Sequence, residues 1–292
     1  MYNGIINVYK EAGFTSFDVV AKLRGILHQK KIGHTGTLDP EAVGVLPVCL
    51  GNATKICELM NDETKTYRAT LKLGINTDTE DLTGKVLETF DVNVSKEDIL
   101  NAVYSFKGEI MQIPPMYSAL KVNGKKLYEL AREGKTVERK PRPVTIFDLS
   151  VLDIDMENNE VCFDVTCSKG TYIRTLCFDI GKKLSCGGAM KSLIRTRVAC
   201  FDIDKALKIS DIEKVRDSGD LTDVIVPVDR YFSKYPEVIA KDEEEDRLIK
   251  NGNKIKLEVC HDIIRMYDVR GNFVGLYEKS DDCYKPLKMF IS

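Results

Sequence analysis

The chain has few of the residues that build metal sites: only three histidines, His28, His34 and His261, occur in 292 residues. None stands at zinc-ligand spacing from a cysteine, and the nine cysteines (Cys49, Cys57, Cys162, Cys167, Cys177, Cys186, Cys200, Cys260 and Cys283) form no CxxC pair. An odd number of scattered thiols predicts reduced, mostly buried side chains rather than a disulfide framework, and no metal is expected. Long apolar runs are missing too, so no membrane span is predicted. Met1-Tyr2-Asn3 carries no basic leader and the run Ile5 to Tyr9 is too short for a signal peptide, which places the chain in the cytoplasm by expectation. A formal net charge of −2 gives no global sign of a nucleic-acid partner. What remains is an ordinary globular composition, 43% hydrophobic and 30% charged, with length for one large domain or one large and one small.

Charge is distributed unevenly, however. Between Lys121 and Arg142 eight basic residues (Lys121, Lys125, Lys126, Arg132, Lys135, Arg139, Lys140, Arg142) face three acids, Glu129, Glu133 and Glu138. Such a surplus suits phosphate contact, and it equally suits a solvated helix face.

The stretch Gly33-His34-Thr35-Gly36-Thr37-Leu38-Asp39-Pro40 concentrates unusual backbone chemistry. Its glycines permit close approaches or angles closed to other residues, while Pro40 holds Asp39 out of the helical region. The carboxylate of Asp39 is therefore presented from a shaped loop, although an Asp-Pro step is also a common turn.

Around this loop the periodicity alternates between strand and helix. Gly4 to Tyr9 reads as a strand. Thr15 with Asp18 forms a capping box for a helix from Ser16 to about Gln29, with Val20, Leu23 and Leu27 at helical spacing. Val45 to Leu50 reads as a buried strand and Thr54 to Met60 as helix. Tyr67, Ala69, Leu71 and Leu73 alternate with polar residues, so Tyr67 joins the buried face of a strand, as a core phenol or as a platform for a flat substrate. Thr77 to Asp81 is an acidic loop, Lys85 to Thr89 a strand, and Ser95 caps a helix through Phe106. Ser118 to Val122 suggests a strand leaving through an Asn123-Gly124 turn, and a short helix follows at Leu127, Leu130 and Ala131, ended by Gly134. The excursion rejoins the core at Pro141-Arg142-Pro143, as an inserted arm over about 114–143 would. Val144 to Asp155 and Glu160 to Cys167 are strands. A helix then carries Ile173, Leu176, Ile180 and Leu184 on its apolar stripe and is stopped by Gly187-Gly188. Arg174 lies in its first turn, off the stripe, where the macrodipole disfavours a cation, so a nearby carboxylate or phosphate is required. Leu193 to Val198 is a strand, Ser210 with Glu213 caps a helix, and Tyr231 to Pro236 reads as a linker to a β-rich module of about 60 residues.

With these residues in place the chain resembles the TruB-type tRNA pseudouridine synthases. The resemblance is carried by the loop Gly33 to Pro40, by Lys65-Thr66-Tyr67, by Leu73-Gly74-Ile75-Asn76-Thr77-Asp78-Thr79, by Ile113 to Lys121 and by Cys167-Ser168-Lys169-Gly170-Thr171-Tyr172-Ile173-Arg174, in family order. Lys10-Glu11-Ala12-Gly13-Phe14-Thr15-Ser16 resembles the first family block, with Glu11 where proline is usual.

The resemblance implies an α+β fold with a mixed, largely antiparallel central sheet flanked by helices. It also implies a catalytic domain over 1–230 with the basic arm inserted, and a small PUA-like module over 231–292. The implied reaction is isomerisation of uridine at position 55 of the tRNA T-loop, in which an extruded base is cut from its sugar, turned and rejoined through C5. Asp39 aligns with the catalytic aspartate and Arg174 with its partner. Tyr67 stacks on the base and takes a late proton, Tyr172 and Leu193 shape the pocket, and His34 fills the space the base vacates; without the family, His34 reads as a structural loop histidine. Lys10, Lys121, Lys125, Lys126 and Arg132 are the expected further substrate contacts. No cofactor, membrane or obligatory protein partner is implied, and the chain is expected to be a monomer. Two other readings stay open: a non-catalytic tRNA-binding or folding protein, and a guide-dependent enzyme acting on ribosomal RNA.

Overall fold

The computed structural model describes every residue but Asp62, Asn123, Asp220 and Ser292. A ten-stranded sheet organises the chain. Its spatial order is Ile225–Val226, Gly4–Lys10, Val43–Leu50, Gly188–Val198, Lys65–Leu73, Glu160–Cys167, Arg142–Asp155, Gly108–Gln112, with Ile32–His34 added beside Val43–Leu50 and Phe201–Asp202 beside Gly188–Val198. Its strand pairs are antiparallel apart from Val43–Leu50 against Gly188–Val198, where Ile194 faces Val43 and Arg195 faces Gly44. This parallel contact lies mid-sheet and passes directly under the Gly33 to Pro40 loop.

Burial follows the alternation. In Lys65–Leu73 the residues Tyr67, Ala69, Leu71 and Leu73 are buried, and with Phe163, Val165, Leu176 and Ile180 they form one core beneath the helix Ile173–Lys183. On the other flank Ser16–Ile26 and Ile209–Ser218 pack Val19, Val20, Leu23 and Ile212 on Ile6, Leu46 and Val48. The predicted capping box of Thr15 with Asp18 forms, and Ser95, predicted as a cap, forms a box with Asp98.

Several boundaries differ from the periodicity reading. Ser16–Ile26 ends early because His28 takes a left-handed φ of 48°. The helix expected to be capped by Ser210 begins at Ile209, with Lys208 as a cap that makes no side-chain bond. The strand expected from Leu193 starts at Gly188, since the backbone there packs directly on the helix. The Asn123-Gly124 turn falls partly on Asn123, outside the described residues; Lys121–Val122 and Lys125–Lys126 pair on either side of it. All nine cysteines are free; Cys49, Cys167, Cys177 and Cys186 are buried, while Cys200 and Cys260 are exposed.

A second sheet, Glu237–Ile239, Ile263–Tyr267, Phe273–Ser280 and Cys283–Met289, forms the C-terminal β module with the helix Glu243–Lys250. The segment Tyr231 to Pro236 is no loose linker. Phe232 is buried among Ile5, Val45, Ile56 and Met60 of the first sheet's flank and Leu276 and Phe290 of the module. Its ring centroid lies 6.3 Å from that of Phe273 and 5.7 Å from that of Phe290. Lys55 Nζ also donates to the Met289 carbonyl at 2.9 Å.

The helix that carries Arg174 is located by Gly181, where a Cβ would lie 2.3 Å from the Gly187 carbonyl carbon and the Gly188 nitrogen. Alanine normally improves a helix interior by about 1 kcal/mol. Here Gly181→Ala is expected to destabilise the fold by about 1–3 kcal/mol through forced overpacking, measured as a lower denaturation midpoint; a stabilised variant would show that the helix is not seated this closely.

Candidate active site

The loop bearing Asp39 is fastened at successive points. Ile32–His34 pairs with Val43–Leu50, and Thr35 N donates to Pro47 O at 3.1 Å. Gly36 turns with φ 72°. Leu38 is buried in the core and its N–H donates to Ser16 Oγ at 2.9 Å. The Pro40 carbonyl accepts from Gly13 N at 3.0 Å and from Lys10 Nζ at 2.8 Å. These last bonds tie the Glu11 segment to the loop without the proline that is usual there.

Arg174, the second residue of its helix, meets this loop with Nε 3.0 Å from Asp39 Oδ2. Its side chain is 7% exposed against 45% for Asp39, so the cation is buried while the carboxylate stays partly open rather than enclosed. Nη1 lies 3.7 Å from Asp81 Oδ2 and donates to Thr79 O at 3.3 Å, and Nη2 donates to Tyr117 O at 3.0 Å. Two carboxylates and two carbonyls thus hold a cation that the helix N-terminus alone would disfavour.

The loop from Thr77 to Asp81 is itself shaped for this. Thr77 Oγ1 donates to Asp81 O at 2.6 Å, and Asp81 Oδ1 accepts from Thr79 Oγ1 at 2.8 Å and from Thr83 N at 3.0 Å. Glu80 takes a φ of 64° and its carboxylate accepts from Thr175 Oγ1 at 2.5 Å, on the same helix as Arg174. Burial raises the Glu80 carboxyl above its ordinary range.

Tyr67 and Leu193 are buried together with Leu38 beside the ion pair. Burial pushes the Tyr67 phenol up, and the Arg195 charge opposes that push. Tyr172 precedes the helix; its N–H donates to Gln112 Oε1 at 2.8 Å and its carbonyl accepts from Gln112 Nε2 at 3.0 Å. It lines a cleft of about 400 Å³ with Pro114, Leu120, Arg142 and Lys169. His34 is half-buried with Nδ1 unpartnered, and burial, then the Arg195 charge, hold its pKa below the usual imidazole value.

The structure therefore brings Asp39 against Arg174, with Tyr67 and Leu193 in the core that buries Leu38 of the same loop, while Tyr172 lines one cleft and His34 a separate groove. The arm cations lie apart from the ion pair. Lys126 and Arg132 sit over the Tyr128 ring at 5.3 and 5.4 Å, and Lys125 pairs with Glu133 at 3.7 Å. Lys121 is exposed in the arm hairpin. Tyr117, at the arm's root, is the link to Arg174. Lys10, expected as a substrate contact, is fully buried with its ammonium on backbone carbonyls, so it holds the loop instead. Periodicity missed Asp81 and Arg195. Asp81 was visible as an acid in a polar loop, and Arg195 as a residue on the inward face shared with Leu193.

Comparison with known proteins agrees with this geometry. As a class, the fold is that of chains found in H/ACA assemblies. It superposes with a TM-score of 0.72 on a chain of an H/ACA RNP bound to a substrate RNA containing 2′-deoxyuridine, at 24% identity, covering 99% of this chain and 85% of that one. A chain of a Cbf5-Nop10-Gar1 complex also gives 0.72, at 25% identity with the same coverage. Residues 24–173 match the TruB family pseudouridylate synthase N-terminal domain, and 174–233 match the tRNA pseudouridylate synthase B C-terminal domain. A protein of Lachnoclostridium phytofermentans named tRNA pseudouridine synthase B is 53% identical over 99% of this chain and all of its own length. A namesake from Clostridium tetani is 46% identical over the same shares. The chain belongs to the TruB family of pseudouridylate synthases.

Burial lowers Lys10 to about 8, with Glu41 and Asp39 pulling the other way. Because the folded value lies below the unfolded one, the buried charge costs stability that is returned as pH rises from about 8 towards 10.5. Relative to Lys10→Met, the wild-type chain should gain stability across that window, by up to about 1.4 kcal/mol per pH unit. Denaturant titrations at several pH values measure this, and a flat difference would mean the ammonium is solvated.

Proposed function

We propose that the chain converts uridine 55 in the T-loop of tRNA to pseudouridine, acting alone and without a cofactor. The observation that carries this reading is the 3.0 Å ion pair between Asp39 and Arg174, on a loop whose Leu38 is buried in one core with Tyr67 and Leu193. An extruded uracil stacks on Tyr67, and Asp39 attacks or stabilises the sugar carbon as the N1–C1′ bond breaks. The base turns, C5 joins C1′, and the C5 hydrogen leaves as a proton. Arg174 holds the Asp39 carboxylate in place while the RNA covers it. His34, held neutral, props the space left in the loop.

Every group in this account comes from one chain, which favours a monomer without a partner protein. Residues 1–230 carry the chemistry and 231–292 form an adjoining module that we assign to RNA. The arm cations and the Arg24, Lys30 and Lys31 side chains, which border a groove with His34, supply charge for phosphates. Localisation follows the substrate: a tRNA enzyme in the cytoplasm, and among the described residues no helix is long and apolar enough to cross a membrane.

The lone chain should release hydrogen from C5 of uridine in a T-stem-loop transcript, in step with pseudouridine formation. A non-catalytic binder cannot do so, and a guide-dependent enzyme would need added RNA and proteins. Asp39→Asn should bind the transcript within about twofold of wild type and lose at least about 10³-fold in rate; full turnover by a folded variant would end the assignment. Replacing Lys125, Lys126 and Arg132 with glutamine should flatten the salt dependence of binding by roughly 0.7–0.9 in log–log slope per lost phosphate contact. An unchanged slope would return those charges to a solvated face.

A further inference from the structure

Like Lys10, Arg195 has none of its side chain exposed, but of the two it alone leaves a nitrogen without an acceptor. It is fully buried, and among the described residues no carboxylate lies against it. Nε donates to Val45 O at 2.7 Å and Nη2 to Gly36 O at 3.3 Å, but Nη1 is buried with no acceptor in hydrogen-bonding geometry. A guanidinium removed from water with one nitrogen unpaired is costly, and a hydrophobic residue of similar volume would ordinarily serve a strand better. The structure supplies what compensates for that cost. Arg195 is the direct cross-strand neighbour of Tyr67, on the same inward face. The strand carrying it approaches Gly44 so closely that a Cβ there would lie 2.3 Å from the Arg195 carbonyl.

We propose that Arg195 is a positioning residue for Tyr67, fastening the Gly36 bend while its unpaired nitrogen serves the neighbouring tyrosine oxygen as that oxygen accepts the C5 proton. The inference rests on the isomerase reading above. Once C5 has bonded to C1′, C5 still carries its hydrogen and the ring holds an N1=C6 double bond. The Tyr67 oxygen takes the hydrogen as a proton, the C5–H pair becomes the C5=C6 bond, and the N1=C6 pair moves onto N1, which takes a proton from water. The phenol then returns its proton to the hydroxide so formed, and no net proton is consumed. The groups that face Tyr67 are Arg195, Cys167 and Asp39. Only the first favours the ionised phenol; burial and the Asp39 charge oppose it. Around Arg195 the other titratable groups are His34 and Lys10, whose pKa values its charge lowers, and Lys65, whose Cε lies against Gly36 as Arg195 Nη1 does.

The test uses the full chain and a T-stem-loop whose target uridine carries deuterium at C5. Arg195→Met should lower the single-turnover rate about 10²-fold, bind the transcript within about twofold of wild type, and show a primary isotope effect larger than the wild-type one. The rising limb of its pH–rate profile should move to higher pH, because the phenol ionises later without the cation. Arg195→Lys, which keeps the charge but not the planar fork, should recover part of the rate and lessen the isotope effect. Should the methionine variant not fold, the lysine variant carries the test, with about a tenfold loss and an isotope effect above wild type. A rate loss with no larger isotope effect and no shift in pH would overturn the proposal and leave Arg195 as a loop support. A wild-type chain that releases no C5 hydrogen would instead overturn the isomerase reading itself.

Discussion

The buried guanidinium of Arg174 is the constraint on which the site depends. It joins a helix start, the loop at Thr77 to Asp81, the root of the arm at Tyr117 and the Asp39 loop. A helix N-terminus repels a cation, so this arrangement stands only because carboxylates and carbonyls converge on it. The consequence for chemistry is preorganisation. The cation is aimed at Asp39 by groups fixed within the fold itself. Asp39, in contrast, keeps almost half of its side chain open, leaving a face for substrate.

The sheet explains how distant segments reach that point. The contact between Val43–Leu50 and Gly188–Val198 is parallel, which puts the Asp39 loop and the inward residues Leu193 and Arg195 on one end of the same pair of strands. Antiparallel pairing of the latter strand with Lys65–Leu73 then brings Tyr67 alongside Arg195. Gly44 is the close-approach point, with φ 107° and no room for a side chain. The aromatic packing of Phe232, Phe273 and Phe290 fixes the C-terminal module on the far flank, away from the arm.

Much of this was legible in order along the chain. Alternation placed Tyr67 on a buried strand face, capping residues marked two helix starts, and the misplaced charge at Arg174 called for an acid. The Asp39–Arg174 match itself came from family resemblance, since no local pattern links segments so far apart. What stayed hidden was tertiary. Lys10 looked like a surface cation because its burial depends on Pro40, a carbonyl in another loop. Phe232 looked like part of a linker because its partners lie in two sheets. Arg195 lay inside a predicted strand, and no local pattern marked it out. In each case local periodicity says which way a side chain points but not what waits there.

The two buried arginines divide the site electrically. Arg174 faces Asp39 and Asp81, so its charge is met by two carboxylates. Arg195 faces no carboxylate, and its field falls instead on neutral groups: it depresses His34 and offsets the upward push of burial on Tyr67. A reaction that both cuts a glycosidic bond and later removes a ring proton needs an anion at one place and a weak base at another. Carboxylates gathered around a single cation could supply only the first. Under the proposed reaction, separating the cations, with the acids on one and the phenol beside the other, lets the two steps draw on different charges.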